Sequence, residues 1–169
     1  MEKTKCLTEG GTLCAKMYLD EAHAYAEQTS GCCKVSVGSV IVDGPVSFSR
    51  IFGSNKTLPI SCKDHGCLRV EKYGENSKLH RNPEDCRAIH SEIDAICNAA
   101  KMGVATRGMT IVVTRYPCEA CARAIIKAGF AVVIYGRAQE CSEFTYKMFE
   151  DAGVEVVHIA DWDAPDVTY

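Results

Sequence analysis

From Thr12 to about Gln28 the apolar residues Leu13, Met17, Ala22, Tyr25 and Ala26 recur near the 3.6-residue period of a helix, and Ser30-Gly31 ends the run. The next stretch has another rhythm. Val35, Val37, Val40, Ile41 and Val42 are β-branched and stop at Asp43-Gly44-Pro45, which predicts a strand, with Val46 to Phe52 returning as its antiparallel hairpin partner. Periodicity then lapses. Asn55, Pro59, Gly66, Gly74, Asn76 and Pro83 are scattered among cysteines and histidines, predicting a long Cys-bearing loop at about 53–85. A loop of more than ~12–15 residues inside a compact domain is usually functional or stapled. Helical spacing resumes with Ile89, Ile93, Ile96, Cys97 and Ala100 and ends at Gly103. After it come a strand at Met109–Thr114, a helix opened by Pro117 and closed by Gly129, and a strand at Ala131–Tyr135. A helix from Glu140 to Ala152 and a strand from Val154 to Ile159 complete the pattern. Strands alternating with helices predict an α/β fold in three layers, α/β/α, around a mixed sheet of about five strands, parallel in the second half.

Composition narrows the picture. A chain of 169 residues with 47% hydrophobic and 24% charged positions supports one domain, 1–169, with its own core. Nineteen Lys+Arg against 22 Asp+Glu leave a net charge of −3, so no general positive field draws in long nucleic acid, and a small molecule is the expected partner. The amino terminus lacks the apolar stretch of a signal peptide and no run of ~18 apolar residues occurs, so a cytoplasmic protein with no membrane partner is expected. The acidic end, Asp161 to Tyr169, is expected to be a flap or an oligomer contact.

Eleven cysteines change the expectation more than any other residue type. An odd number cannot all pair within one chain, and a reducing compartment disfavours a disulfide scaffold, so close cysteine spacings near histidine point to metal. Cys14 and Cys97, in apolar helical patterns, are expected to be plain buried thiols.

The informative constellation is His90-Ser91-Glu92 followed by Pro117-Cys118-Glu119-Ala120-Cys121, each at the start of a predicted helix. His90, Cys118 and Cys121 supply one imidazole and two thiolates, and three protein ligands leave a four-coordinate zinc one position for water, the arrangement of a catalytic site. Unpaired N–H groups at a helix start lower the cost of ionising both sulfurs. Glu92, two residues past His90, reaches the water without ligating the metal. A Cys-x-x-Cys alone also occurs as a structural half-site or a redox pair, so the constellation is read as a whole.

Taken together, these residues resemble the zinc-dependent cytidine and deoxycytidylate deaminases, whose pattern is H-x-E…P-C-x-x-C with the Glu as proton shuttle. Within that superfamily the resemblance is closest to the dCMP deaminases. Cys32-Cys33-Lys34-Val35-Ser36-Val37-Gly38-Ser39-Val40-Ile41-Val42 is similar to the family's S-x-C-x-R-x-x-V-G-A-x-I-V segment, with Lys34 where Arg is usual. Gly53-Ser54-Asn55-Lys56-Thr57-Leu58-Pro59 resembles a G-x-N-x-x-P loop whose Asn contacts the sugar, with one residue more before the Pro, and Cys86 to Glu92 resembles C-x-x-x-H-A-E, with Ser91 for the common Ala.

The resemblance implies a cytidine-deaminase-like fold with one catalytic zinc on His90, Cys118 and Cys121. In the reaction it implies, a zinc-activated water attacks C4 of the pyrimidine while Glu92 takes the water proton, delivers it to N3 and helps protonate the departing amine, turning dCMP into dUMP and ammonia. Asn55 and Lys34 are the expected substrate contacts, and Lys34, Lys56, Arg115 and Arg137 are candidates for the 5′-phosphate. Tyr116 and Tyr135 are candidates for shaping the pocket. Cys62, His65 and Cys67, with Cys32, Cys33 or Cys86 nearby, offer ligand types for a second, structural zinc, a site that some dCMP deaminases carry. A homo-oligomer is implied, and an allosteric nucleotide such as dCTP or dTTP is compatible with the resemblance. Cytidine, guanine, a riboflavin-pathway pyrimidine or a tRNA adenosine would use the same zinc core, and a non-catalytic zinc module would have no need of Glu92.

Overall fold

The computed structural model describes residues 11–44, 49–75, 85–138 and 143–163. Helix α1, Gly11–Thr29, leads into strand β1, Gly38–Val42, and its partner β2, Arg50–Ser54. Two short helices follow, α2 at Cys62–His65 and α3 at Leu68–Tyr73. The second half alternates α4 (Ser91–Lys101), β3 (Thr110–Arg115), α5 (Glu119–Ala128), β4 (Val132–Arg137), α6 (Glu143–Asp151) and β5 (Glu155–His158). The sheet runs β2-β1-β3-β4-β5, antiparallel where β1 meets β2 and β3, parallel from β3 to β5.

Alternation along the strands builds two cores. Ile41, Ile111, Val113, Val133 and Tyr135 point to one face with Ala95, Ala99, Ala122, Ile125 and Phe149 from α4, α5 and α6. Val40, Val42, Val112, Val132 and Ile134 point to the other, against Ala15, Tyr18, Leu19 and Ala22 of α1 and Trp162. Burying one such aliphatic side chain is worth ~1.5–3 kcal/mol, so period-two patterning on three central strands secures both helical layers. The mixed sheet and three layers are those the hydrophobic pattern predicts.

Three local expectations differ. The region 53–85 is not wholly loop: β2 extends to Ser54, and α2 and α3 fold parts of the remainder into helix. Ser61 caps α2 by accepting from the Lys63 N–H, a start signal hidden among turn residues. Cys97 is exposed, because the buried side of α4 is formed by Ser91, Glu92, Asp94, Ala95 and Ala99, and position 97 falls round the helix from these. Cys14 is half-buried against the α1 core. The expected hairpin start at Val46, the helix start at Glu140 and the tail beyond 163 lie outside the described residues.

Candidate active site

The site forms where the starts of α4 and α5 meet beside the end of β3. His90 and Cys118 are the N-cap residues of these helices, each extended in backbone and neither using its side chain as a cap, so both side chains are available to a ligand. Close contact between β2 and α4 sets the position of His90. A Cβ at Gly53 would collide with the Ser91 carbonyl and the Ala95 backbone, so only glycine lets the strand approach the first turn so nearly. The Asp94 carboxylate accepts from the Ser54 N–H at 3.0 Å and pairs with Lys56 at 3.7 Å, tying the following loop to the same helix.

The Nδ1 of His90 lies 3.4 Å from the Sγ of both Cys118 and Cys121, and all three atoms fall within 4.8 Å of one another. Bond lengths of ~2.3 Å to sulfur and ~2.0–2.1 Å to nitrogen at tetrahedral angles imply an S···N edge of about 3.6 Å, so the donor set fits zinc in both chemistry and spacing. As a hydrogen-bonded pair the thiols share one proton. The bond from Cys121, assisted by His90, holds Cys118 down to about 3, and the same contact pushes Cys121 up. The Cys118 contact also raises His90. A divalent cation replaces this shared proton, since it lets both sulfurs ionise and leaves the imidazole neutral.

Glu92 is buried at 4% exposure beside this set. Burial pushes its carboxyl above the ordinary range, opposed by its backbone hydrogen bond, the His90 charge and the Ser91 hydroxyl. That hydroxyl donates to Glu92 Oε2 at 3.1 Å.

A cavity of about 190 Å³ opens onto these groups. Its lining includes His90, Glu92 and Cys118, then Asn55, Val35 and Val37, and also Tyr116, Arg115 and Arg69. Asn55 Oδ1 accepts from the Val37 N–H at 2.9 Å and its Nδ2 donates to the Val35 carbonyl at 2.7 Å, so this side chain shapes the 35–37 wall as well as facing the cavity. Tyr116 stacks on Tyr146 of α6 and meets Tyr135 edge-on.

Other candidates fall elsewhere. Lys34 is not among the lining residues, and its backbone N–H contacts the Cys32 sulfur. Lys56 is engaged by Asp94 and the Tyr25 ring, and Arg137 lies over Trp162 on the α1 face. Cys62 and Cys67 lie near Cys32 and Cys33, close enough for their charges to interact, whereas His65 is exposed. Among the described residues only His90, Cys118 and Cys121 gather as a metal-ligating group, so Cys62, His65 and Cys67 are not assembled as ligands. Arg69 belongs to no motif of the sequence; the helical run Leu68-Arg69-Val70-Glu71-Lys72-Tyr73 between Gly66 and Gly74 is the one signal that could have found it.

Residues 15–164 match the family model of the MafB19-like deaminases. The chain is 30% identical over 142 residues to ComE operon protein 2 of Bacillus subtilis, covering 84% of this chain and 69% of that protein. It is 25% identical over 160 residues to deoxycytidylate deaminase of Enterobacteria phage T4, covering 78% of this chain and 83% of the phage protein. Among solved structures, the dCMP deaminase of cyanophage S-TIM5 in complex with dCMP and dUMP matches with a TM-score of 0.60 at 21% identity, over 84% of this chain and 93% of that one, a likeness of fold. A match over nearly the whole chain, with a zinc donor set beside a buried carboxylate, places this protein in the MafB19-like deaminase family as a zinc-dependent hydrolytic deaminase.

Proposed function

We propose that the protein converts dCMP and water to dUMP and ammonia. The observation that carries this reading is that two guanidinium-bearing residues, Arg69 and Arg115, line the same cavity as Glu92 and the zinc donors. A phosphate monoester is the substrate feature that matches guanidinium groups, while an uncharged nucleoside or a free purine base has no use for them. The relatives named deoxycytidylate deaminase support the base and the sugar.

His90, Cys118 and Cys121 hold the zinc, which when bound supplies Lewis-acid activation of the attacking water. Glu92 takes one proton of the attacking water and passes it to N3 as the new C4–O bond forms; it then takes the remaining O–H proton and delivers it to the amine as the C4–N bond breaks, leaving C4=O and ammonia. Its burial raises its carboxyl and so favours the protonated form that it must hold between these steps. Asn55 and the backbone it braces bound the sugar side, and Tyr116 closes the cavity behind the ring.

The test is ammonia release by the zinc-loaded protein from dCMP, CMP, deoxycytidine, cytidine and guanine. The expected result is a kcat/KM for dCMP at least about a hundredfold above that for deoxycytidine, the scale of one charge-assisted hydrogen bond in a buried site. Equal turnover of the two refutes the phosphate reading, and turnover of guanine alone refutes the cytosine reading.

A further inference from the structure

Ser91 stands where the resembling motif commonly has alanine, in a site with no exposure to solvent. A hydroxyl there is costly unless its hydrogen bonds are made. Ser39 in β1, equally buried, donates to Ser91 Oγ at 2.6 Å, and Ser91 donates in turn to Glu92 Oε2 at 3.1 Å. Both hydroxyls are therefore satisfied in one direction, from the sheet to the carboxylate. Ser39 is itself fixed, because it pairs with Gly53 of β2 on one side and Val113 of β3 on the other.

The terminal torsion of a glutamate is broad, so burial alone does not set the plane of its carboxylate. A donor held by the central sheet does. We infer that Ser91, seated by Ser39, is a positioning residue for Glu92: it binds Oε2, fixes the carboxylate plane and reserves Oε1 for the proton that moves. The inference rests on the reading of Glu92 as the proton shuttle. Proton transfer demands heavy-atom placement within hydrogen-bond reach, so a carboxylate free to rotate loses rate without losing substrate affinity.

The experiment uses the zinc-loaded protein with dCMP and the variants Ser91→Ala, Ser39→Ala, the double variant and Glu92→Gln. Ser91→Ala is expected to lower kcat about tenfold, the scale of one hydrogen bond to a charged group, with KM within about twofold of wild type and zinc content unchanged. Ser39→Ala, one step removed, is expected to lower kcat about threefold. The double variant separates positioning from packing. Ser91→Ala alone leaves the Ser39 hydroxyl orphaned, so its melting temperature falls; removing both hydroxyls restores stability, yet kcat stays low if Ser91 orients Glu92. Recovery of kcat together with melting temperature in the double variant overturns the inference, as does a kcat for Ser91→Ala within twofold of wild type. A Glu92→Gln variant with near-wild-type turnover overturns the shuttle reading itself, a result distinct from either. A readout independent of turnover is the melting of zinc-free Ser91→Ala, Glu92→Gln and their double: non-additive shifts are expected, and additive ones count against the bond.

Discussion

Two groups of cysteines occupy this chain, and the scaffold beneath each makes them different. Cys118 and Cys121 sit on the first turn of a ten-residue helix that packs on the sheet, facing His90 on the first turn of an eleven-residue helix held by Gly53 and Asp94. Cys62 and Cys67 sit around helices of four and six residues, whose bonds to the rest of the chain include Lys63 N–H to the Gly31 carbonyl at 3.2 Å, Cys62 N–H to Thr57 Oγ1 at 3.3 Å and Arg87 Nη1 to the Gly66 carbonyl at 3.2 Å. At the first group the donors are gathered and one thiol is held down to about 3. At the second, burial and neighbouring thiols push Cys33 and Cys62 up. Only Cys67 goes down: burial acts against it, but the Val70 and Arg69 backbone amides and the Arg69 guanidinium outweigh burial. Cysteine identity does not make a metal centre; donors fixed before the ion arrives do.

The largest expected effect comes from Cys118→Ser. It should abolish stoichiometric zinc binding and lower turnover by more than the ~10–100-fold typical of losing an outer-shell partner, as measured by elemental analysis and ammonia release. Cys67→Ser, with the sulfur of the second group altered, should retain that zinc. Alkylation of the zinc-loaded protein with iodoacetamide near pH 7, followed by peptide mass mapping, sharpens the contrast. Cys118 and Cys121 should be protected by the metal, Cys67 should be labelled before Cys33 and Cys62, and exposed Cys97 should be open to the reagent. Joint protection of Cys32, Cys33, Cys62 and Cys67 would break the comparison by revealing a second metal there.

A pair of glycines carries the contrast into the backbone. Gly53→Ala forces a methyl against the Ser91 carbonyl and the Ala95 backbone, so it should cost ~1–3 kcal/mol in melting and reduce kcat by moving His90 and Glu92 together. Gly66→Ala meets only the end of the Glu71 side chain but sits at φ 76°, where an L side chain is strained by ~1–2 kcal/mol. Its effect should stay within α2 and α3, leaving the zinc content at the wild-type level.

The same contrast explains which parts of the molecule are legible in its sequence. The zinc centre is readable because its parts are local: His90 and Glu92 share one turn, Cys118 and Cys121 another, and each turn begins a helix with a clear apolar period. The sheet is readable because Val40, Ile41 and Val42, and Ile111, Val112 and Val113, alternate between two cores. Arg69 is not, because its place in the cavity depends on how an insert of two short helices, with little apolar burial, folds back. Nor is the weight of Ser91. In sequence it adds one hydroxyl to a methyl; only the pairing of β1 against α4 brings Ser39 to one side of it and the Glu92 carboxylate to the other. Cys97 misleads for a related reason. The inward face of α4 is chosen by the polar groups the site requires, so apolar periodicity there points partly outward.

The smallest expected effect tests how loosely the insert is attached. Asp85 accepts from the Tyr73 hydroxyl at 2.6 Å and from Lys72 at 2.9 Å, and these two bonds, Tyr73 first, hold its carboxyl below the ordinary range. A carboxyl depressed in the folded state lends stability that is present above its unfolded value of ~3.9 and is lost as pH falls through the lower folded value. The group is partly open to solvent, so the contribution is small and salt-sensitive. Amide hydrogen exchange followed from pH 6 to pH 3 should therefore show α3 opening locally at the acid end while the amides of α4 and α5 stay protected. Tyr73→Phe removes the larger of the two contacts and should shift that local opening to higher pH. If instead α3 and α5 open together at one pH, the insert is part of the same cooperative unit as the zinc centre, and the difference between the two cysteine groups is one of donor placement alone.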